Sequence, residues 1–155
     1  MTDKSIIDDK APPVLKVDDL AVAYKVRGGE IEAVQNVSFD IRRGESHGIV
    51  GESGCGKSVT SFSIIRLVLP PGKILSGEIL FNGRNLLELN EDEMDKIRGN
   101  RISMVFQQPT TCLNPVMKIG DHIAEIYKIH QKMDKKEALQ KAVQMLETVG
   151  IPEPE

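Results

Sequence analysis

The residues of this sequence with the clearest chemistry form a glycine-rich run, GESGCGKS, from Gly51 to Ser58. Its Gly51, Gly56, Lys57 and Ser58 have the spacing G-x-x-x-x-G-K-S/T of a phosphate-binding loop. Glycines let the backbone approach a ligand closely, so that successive N–H groups and the positive end of the following helix can surround phosphate oxygens. The run therefore predicts a binding site for the phosphate chain of a nucleotide.

Two side chains of this run have separate predicted roles. Lys57 supplies a positive charge for the β- and γ-phosphates, and the Ser58 hydroxyl is a ligand for the Mg²⁺ that bridges them. A lysine at the amino end of a helix is electrostatically unfavourable, which favours a bound anion over a merely solvated side chain. The predicted nucleotide-binding residues of the run are Gly51, Glu52, Ser53, Gly54, Cys55, Gly56, Lys57, Ser58 and Val59.

Cys55 lies inside the glycine-rich run and has two interpretations. The nearby helix terminus and Lys57 would make its thiol reactive, whereas the plainer alternative is a small residue tolerated at a variable loop position. The only other cysteine is Cys112, and neither has the CxxC or Cys/His neighbours of a metal site. We therefore expect free thiols and no zinc.

Strands dominate the first half of the predicted fold. Alternating apolar residues over 20–26 and 37–41 predict two antiparallel strands. Short strands are also predicted at Ser46–Val50, before the glycine-rich run, and at Glu78–Phe81. Between these two, apolar residues at helical spacing predict a helix that follows the run and is ended by Pro70.

Helices dominate the second half. One helix is predicted to begin at Asn90, where Glu93 has the spacing of a capping box. The stretch Arg101–Phe106 is strand-like and leads into a loop. Two amphipathic helices then follow, the first around Ile119–Tyr127 and the second after a cap at Asp134.

Composition limits the class of protein. The 155 residues are 40% hydrophobic and 28% charged, as in a folded domain. The chain has 20 Lys and Arg against 23 Asp and Glu and a net charge of −3, so it lacks the basic excess that nucleic-acid binding favours, and no nucleic-acid partner is expected. No apolar run approaches the roughly 18 residues of a membrane-spanning helix, and the polar amino terminus does not resemble a secretory signal. These features predict a cytoplasmic chain.

The sequence also resembles a known family. Tyr24, the GESGCGKS run, RISMVFQQP from Arg101 and the CLNP and IGDHIAE segments behind it are similar to the ATP-binding subunits of ABC transporters, specifically the dipeptide and oligopeptide importers. The similarity covers nearly all of residues 14–154, and the long stretch from Gly77 to Val116 carries the assignment to the importer group. The resemblance implies an α/β fold, namely a P-loop NTPase of the ABC nucleotide-binding type.

The resemblance also implies how the chain is divided. Residues 1–13 are expected to form a flexible leader, and residues 14–155 the amino-terminal part of a nucleotide-binding domain. Within that part, 14–106 would be the antiparallel β subdomain and the P-loop core. Residues 107–115 would be the Q-loop and 116–155 the start of the helical subdomain. The domain would be incomplete.

Two further site residues follow from the resemblance. Tyr24 would stack on adenine, and Gln107 would be the Q-loop glutamine that reaches Mg²⁺ and the attacking water. Lys57 and Gln107 would then be catalytic, with Ser58 and Gln107 at the metal. The residues alone leave alternatives open, because Tyr24 also suits the apolar face of a strand and Gln107 also suits an ordinary polar loop.

Several motifs of a complete ATPase of this family do not occur before Glu155: the Walker B strand with its Asp and Glu, the LSGGQ-type signature and the switch histidine. Leu75–Glu78 imitates the start of the signature, but it precedes the Q-loop and leads into a predicted strand. His47 is expected to pack beside a strand, and His122 and His130 to lie on a helix surface. We expect residues 1–155 alone to hydrolyse ATP poorly and to expose apolar sheet surface.

The function implied by the resemblance is import of peptides driven by hydrolysis of Mg-ATP. The expected partners are integral-membrane permease subunits, a second ATP-binding subunit, identical or homologous, and indirectly an extracytoplasmic solute-binding protein. The subunit would be peripheral, at the cytoplasmic face of the cell membrane. Short peptides are the expected solute, with nickel or a related solute as the alternative.

Other classes of P-loop protein fit less well. A GTPase is disfavoured because the sequence has neither a DxxG segment nor an NKxD motif, and a small-molecule kinase lacks positive support. The acidic balance and the importer-like stretch argue against a DNA-maintenance ABC protein. A module that holds nucleotide without hydrolysing it remains the alternative for this segment alone, and turnover measurements separate the two.

Overall fold

The computed structural model describes residues 11–108 and 113–152. The chain divides into two compact units, Met1–Met94 and Asp95–Glu155. The first unit contains an antiparallel sheet and the glycine-rich run, and the second contains two long helices. The subdomain boundaries expected at residues 106 and 115 stay predictions.

The sheet of the first unit has four strands in the order β2-β1-β3-β4, and every neighbouring pair is antiparallel. The strands are β1 (Leu15–Val26), β2 (Gly29–Ile41), β3 (Gly72–Phe81) and β4 (Arg84–Asn85). The two antiparallel strands expected in the first forty residues are confirmed, and β3 is longer than the predicted Glu78–Phe81 strand.

Strand β1 lies in the centre of the sheet and supplies much of its core. Residues Leu20–Ala23 are four consecutive buried residues, where simple alternation predicts every second one. The pairing of β1 with both neighbours shifts register in this stretch, and a bulge of that kind changes which residues face the core. Gly77 of β3 has φ 103°, and a Cβ there would lie 2.7 Å from the carbonyl oxygens of Asp18 and Asp19. Close approach of the two strands therefore requires glycine at this position.

Helix α1 (Lys57–Ile64) follows the glycine-rich run, as expected, but it is shorter than predicted. The helical spacing extends to Leu69, which is 71% exposed. The helix ends earlier because Arg66 adopts φ 53°, a left-handed conformation that cannot continue a right-handed helix.

The capping box predicted at Asn90 is present at the start of helix α2 (Glu91–Asp95). The Glu93 N–H donates to the Asn90 side-chain oxygen at 2.9 Å, and the Asn90 N–H donates to the Glu93 carboxylate at 3.2 Å. A short 3₁₀ helix, Leu86–Glu88, precedes it and buries Leu86. Leu75–Glu78 lies inside β3, so this signature-like sequence is itself part of the strand that it was predicted to lead into.

The second unit is built on a pair of helices, α3 (Ile119–Gln131) and α4 (Lys135–Thr148). Their interface is formed by three buried alanines with larger residues around them: Ala124, Ala138 and Ala142, with Ile123, Tyr127, Met133 and Leu139. The predicted cap is confirmed, because the Asp134 carboxylate accepts from the Glu137 N–H at 2.9 Å. Small residues let the two helix backbones approach closely.

Two predicted strands are not formed. Ser46–Val50 and Arg101–Phe106 are irregular, apart from an isolated bridge between Arg98 and Ile102. A strand needs a neighbour to satisfy its backbone hydrogen bonds, and within residues 11–108 and 113–152 neither segment has a partner strand. Both predictions were wrong for this reason, and Val50 and Val105 are left 96% and 91% exposed.

The clearest electrostatic pair of the sheet is Lys16 with Asp18, neighbours on one face of β1. The Lys16 ammonium lies 2.6 Å from the carboxylate, and this hydrogen bond, with the charge attraction, lowers the pKa of Asp18 below 3.8 and raises the pKa of Lys16 above 10.5. The stability that Asp18 contributes is lost as pH falls below 3.8. That of Lys16 is lost as pH rises above 10.5.

The exposed valines predict how the 155-residue chain behaves when it is produced alone. We expect it to bind a hydrophobic dye and to aggregate, and the double substitution Val50→Thr with Val105→Thr to reduce both, because each valine leaves apolar surface in water. Val22→Thr, the same change at a fully buried position, should instead destabilise the fold by about 1–3 kcal/mol. Dye fluorescence, light scattering and thermal unfolding measure these effects. A high, cooperative melting transition without dye binding would contradict the expectation.

Candidate phosphate-binding site

The glycine-rich run forms an irregular loop that ends at the first residue of α1. Its backbone adopts the left-handed conformation at Gly54 and Gly56, which have φ of 83° and 94°. A Cβ on Gly56 would overlap the carbonyl oxygen of Ala33 and lie 3.3 Å from the side chain of Val34, both in β2. Gly56 is therefore required both by its conformation and by its contact with the sheet. This contact fixes the point where the loop ends and α1 begins.

The Lys57 side chain folds back over the loop. Its ammonium donates to the carbonyl oxygens of Gly51 at 2.8 Å and Glu52 at 2.6 Å. The positive charge is thereby held at the loop backbone instead of extending into solvent beside the helix. The sequence predicts this ammonium as the positive charge that binds the phosphate chain, and its position beside the loop backbone is consistent with that role.

The amino end of α1 offers unsatisfied donors. Gly56 is the N-cap residue and has no side chain to accept from the first helical N–H groups, and the first turn contains no acidic residue. Ser58 is exposed in that turn, and Val59 is partly buried. Backbone donors, the helix dipole and a lysine ammonium together fit a phosphate anion, and the Ser58 hydroxyl is a hard oxygen donor of the kind that Mg²⁺ prefers.

Cys55 is exposed within the loop. Its Sγ lies 3.5 Å from the Lys57 ammonium, and a Cβ on Gly51 would lie 2.6 Å from the same sulfur. The thiol thus sits over Gly51 beside the charge of Lys57, which agrees with the reactive interpretation but does not decide it. Cys112 lies outside the described residues.

Tyr24 is half-buried on β1, opposite Gly72 of β3. A Cβ on Gly72 would lie 2.6 Å from the Tyr24 ring and 2.9 Å from Val68. The ring therefore packs over the Gly72 backbone, so the core-packing interpretation holds for part of the side chain. Stacking of Tyr24 on adenine stays a prediction.

Gln107 is an exposed residue in a bend of the second unit. The four residues after Gln108, within the predicted Q-loop, lie outside the described part of the chain, which resumes at Leu113. The loop around Lys57 belongs to the first unit, so the meeting of Gln107 with the phosphate site stays a prediction.

His122 has a role that the sequence did not indicate. The Asn114 N–H donates to its Nε2 at 3.0 Å, and the Asn114 side chain accepts from the Val116 N–H at 3.1 Å. These bonds tie the end of the predicted Q-loop to the first turn of α3. The spacing of eight residues carries no motif that predicts the contact. His47, in contrast, stacks on Phe39 of β2 with ring centroids 5.1 Å apart, which confirms that it packs beside a strand.

The described residues offer neither a metal-ligating cluster nor a membrane-spanning helix. Residues 11–108 and 113–152 contain no group of three His, Cys, Asp or Glu side chains placed to hold a metal ion. Among the described helices, none has the length and apolar character needed to cross a membrane.

Comparison with known proteins gives consistent matches. The profile of the ABC transporter family matches residues 34–154. The oligopeptide transport ATP-binding protein OppD of Bacillus subtilis is 50% identical over 92% of this chain and 40% of its own length. The dipeptide transport ATP-binding protein DppD of the same organism is 50% identical over 91% of this chain and 42% of its own length. The chain thus spans about 40% of the length of the curated relatives it matches.

Solved structures of ABC cassettes share the fold. The dimeric structure of MJ0796, described as a bacterial ABC transporter cassette, has a TM-score of 0.74 and 29% identity, and the match covers 90% of this chain and 58% of that one. A post-hydrolysis state of the same cassette, bound to ADP and Pi, gives a TM-score of 0.73 with 27% identity over the same shares. The expected fold class is confirmed, with the parallel part of the sheet absent among the described residues.

Replacing Gly56 tests the contact that holds the loop. We expect Gly56→Ala to weaken binding of a fluorescent ATP analogue at least tenfold, because the added Cβ overlaps the Ala33 carbonyl in a conformation that already disfavours a side chain. Gly28→Ala is the matched control, since Gly28 has φ 98° and no atom within 4 Å of an added Cβ. If Gly56→Ala bound the analogue as tightly as Gly28→Ala, the contact with β2 would not be what holds the loop in its binding geometry.

Alkylation tests the reactive interpretation of Cys55. We expect an uncharged maleimide to label this thiol and bound Mg-ATP to block the reaction, because the sulfur lies beside Lys57 in the predicted phosphate site. Cys55→Ser removes the labelled site and leaves Cys112 as the internal control. Peptide mass spectrometry measures the labelled fraction. Equal labelling of Cys55 with and without Mg-ATP would contradict this interpretation.

Proposed function

Since this chain belongs to the ABC transporter family, we propose that it is the amino-terminal part of an ATPase subunit that couples ATP hydrolysis to the import of peptides. One structural observation carries the proposal. The loop Gly51–Ser58 is set against β2 through Gly56 and carries the Lys57 ammonium folded over its backbone at the start of α1. This geometry supports binding of a nucleoside triphosphate.

The residues of the loop have separate roles in nucleotide binding. Its backbone N–H groups and the positive end of α1 hold the phosphate oxygens. Lys57 binds the β- and γ-phosphates and stabilises the charge that develops between them as the γ-phosphate is transferred to water. Ser58 and Gln107 would hold Mg²⁺, which would supply neutralisation of the phosphate charge. Tyr24 stacks on adenine, and Gln107 orients the attacking water.

Hydrolysis needs more than these residues. Residues 1–155 hold no Walker B aspartate, catalytic glutamate, signature or switch histidine, so we propose that they bind Mg-ATP without hydrolysing it efficiently. A second ATP-binding subunit, identical or homologous, supplies the other side of the nucleotide. The dimeric cassette of MJ0796 supports this part of the proposal.

Transport requires the subunit to contact a membrane partner. We propose that it lies at the cytoplasmic face of the membrane and drives permease subunits, which a solute-binding protein loads from the other side. The Q-loop and Ile119–Tyr127 are the proposed contact with the permease. The names of the relatives, which are peptide and oligopeptide transport proteins, support peptides as the solute, with nickel or a related solute as the alternative.

The test uses the complete ATPase subunit, of which this chain is the proposed amino-terminal part, together with its permease in vesicles. We expect Lys57→Ala to weaken ATP binding and to lower hydrolysis about 10²-fold or more, because the phosphate charge loses its partner. Gln107→Ala should keep ATP binding but lower peptide-stimulated hydrolysis and uptake about tenfold or more. Gln140→Ala, an exposed glutamine on α4, is the matched control.

Competition with unlabelled solutes in the same vesicles decides the substrate. Di- and oligopeptides should inhibit uptake of a labelled peptide, and nickel should not. Unchanged hydrolysis in Lys57→Ala would refute the ATPase role. If Gln107→Ala left both uptake and the coupling of hydrolysis to peptide unchanged, the assignment of Gln107 would fail while ATP binding stood.

A further inference from the structure

Arg66 lies just beyond the carboxyl end of α1 and ties that helix to the segment after β4. Its Nη1 donates to the carbonyl oxygens of Leu86, at 3.4 Å, and Leu89. Its Nη2 donates to the Glu91 carboxylate at 2.7 Å. One guanidinium therefore bridges the start of the 3₁₀ helix and the first turn of α2, and its side chain is only 23% exposed. We call these contacts the Arg66 clamp.

The backbone at this position supports the importance of the clamp. Arg66 has φ 53°, a conformation that glycine adopts more easily than any residue with a side chain. Its N–H donates to the Ser63 carbonyl at 3.0 Å, and the next N–H, of Leu67, donates to the Phe62 carbonyl at 2.8 Å. A glycine would end α1 in the same way with less strain but could not make the three side-chain bonds.

Helix α1 buries few side chains along its own length. Within the helix only Thr60 and Ser63 are buried. Their hydroxyls donate to the carbonyl oxygens of Gly56 and Val59, which are one helical turn earlier in the same segment and not part of the sheet. The larger apolar side chains of α1 are only partly buried, and Ile65, just beyond the helix, is 6% exposed. The helix is therefore fixed chiefly at its ends, by Gly56 against β2 and by Ile65 together with the Arg66 clamp.

We propose that Arg66 is a positioning residue for the phosphate-binding loop. It holds the far end of α1, so that Lys57 and Ser58 at the near end meet the phosphate chain in a productive geometry. A tilt of α1 by about 10° around Gly56 would move a lysine ammonium, about 6 Å from its Cα, by about 1 Å, a displacement that can cost about 10²-fold in rate. This inference rests on the proposed ATP-binding function of the same loop.

The chain offers a matched control for the clamp. Arg84 of β4 also pairs with a glutamate of α2, with its Nη2 2.9 Å from the Glu93 carboxylate. Its side chain is 64% exposed, and its ion pair joins β4 to α2 without α1. Removal of either arginine thus costs one arginine–glutamate pair on the same short helix, but only removal of Arg66 releases α1.

The experiment compares Arg66→Met with Arg84→Met in the complete ATPase subunit of which this chain is the proposed amino-terminal part. The measured quantities are the dissociation constant for a non-hydrolysable Mg-ATP analogue, by titration calorimetry, and kcat and KM for hydrolysis. We expect Arg66→Met to weaken binding at least tenfold and to lower kcat, and Arg84→Met to stay within twofold of the unsubstituted protein. A smaller folded fraction would by itself raise the apparent dissociation constant in inverse proportion to that fraction, so the folded fraction of each variant is measured by circular dichroism and each dissociation constant is corrected for it before the comparison.

Arg66→Lys is the second variant, and it decides the question if Arg66→Met does not fold. A single ammonium keeps the charge beside Glu91 but cannot bridge all three acceptors. We expect about threefold weaker binding, between the unsubstituted protein and Arg66→Met. Binding equal to that of the unsubstituted protein would overturn the proposal.

Two other outcomes would also overturn the positioning role. They are binding by Arg66→Met within twofold of the unsubstituted protein, and equal weakening of binding by both methionine variants. If the unsubstituted protein itself bound no ATP, the proposed function would fail instead, so the two failures are distinguishable.

Discussion

The contact between Gly56 and the carbonyl oxygen of Ala33 is the constraint on which the site depends. It places the end of the glycine-rich loop directly against β2, at a separation that admits no side chain. Because Gly56 is also the N-cap of α1, the same contact sets where the helix begins. The position of Lys57, and with it the charge over the loop, follows from this packing of one backbone against another.

The sheet supplies the rigid surface that this contact needs. Strand β1 is paired on both sides, and its residues Leu20–Ala23 are buried, so β2 is attached to the most constrained part of the first unit. The other end of α1 is held by polar bonds from Arg66 and by the burial of Ile65, since the apolar side chains within the helix are only partly buried. A packed strand at one end and a guanidinium at the other thus hold a short helix that could not be stable by itself.

Local signals predicted much of the fold and of the site correctly. The capping residues Asn90 and Asp134 have the expected bonds, because a cap involves only residues three positions apart. The antiparallel pair β1 and β2 was predicted because alternating apolar residues mark strands with one buried face. The strands at Ser46–Val50 and Arg101–Phe106 were not predicted correctly, because their formation depends on distant partner strands that a local pattern does not show.

The sequence by itself determined the chemistry of the loop, since the spacing of Gly51, Gly56, Lys57 and Ser58 suffices to name a phosphate site and its cation. Only the tertiary structure decided what holds that loop in place. The Ala33 carbonyl lies 23 positions before Gly56 and the Glu91 carboxylate 25 positions after Arg66, and neither contact has a periodicity or a motif. Contacts of this kind arise from the pairing of strands and the ends of helices, so they become visible only when the chain has folded.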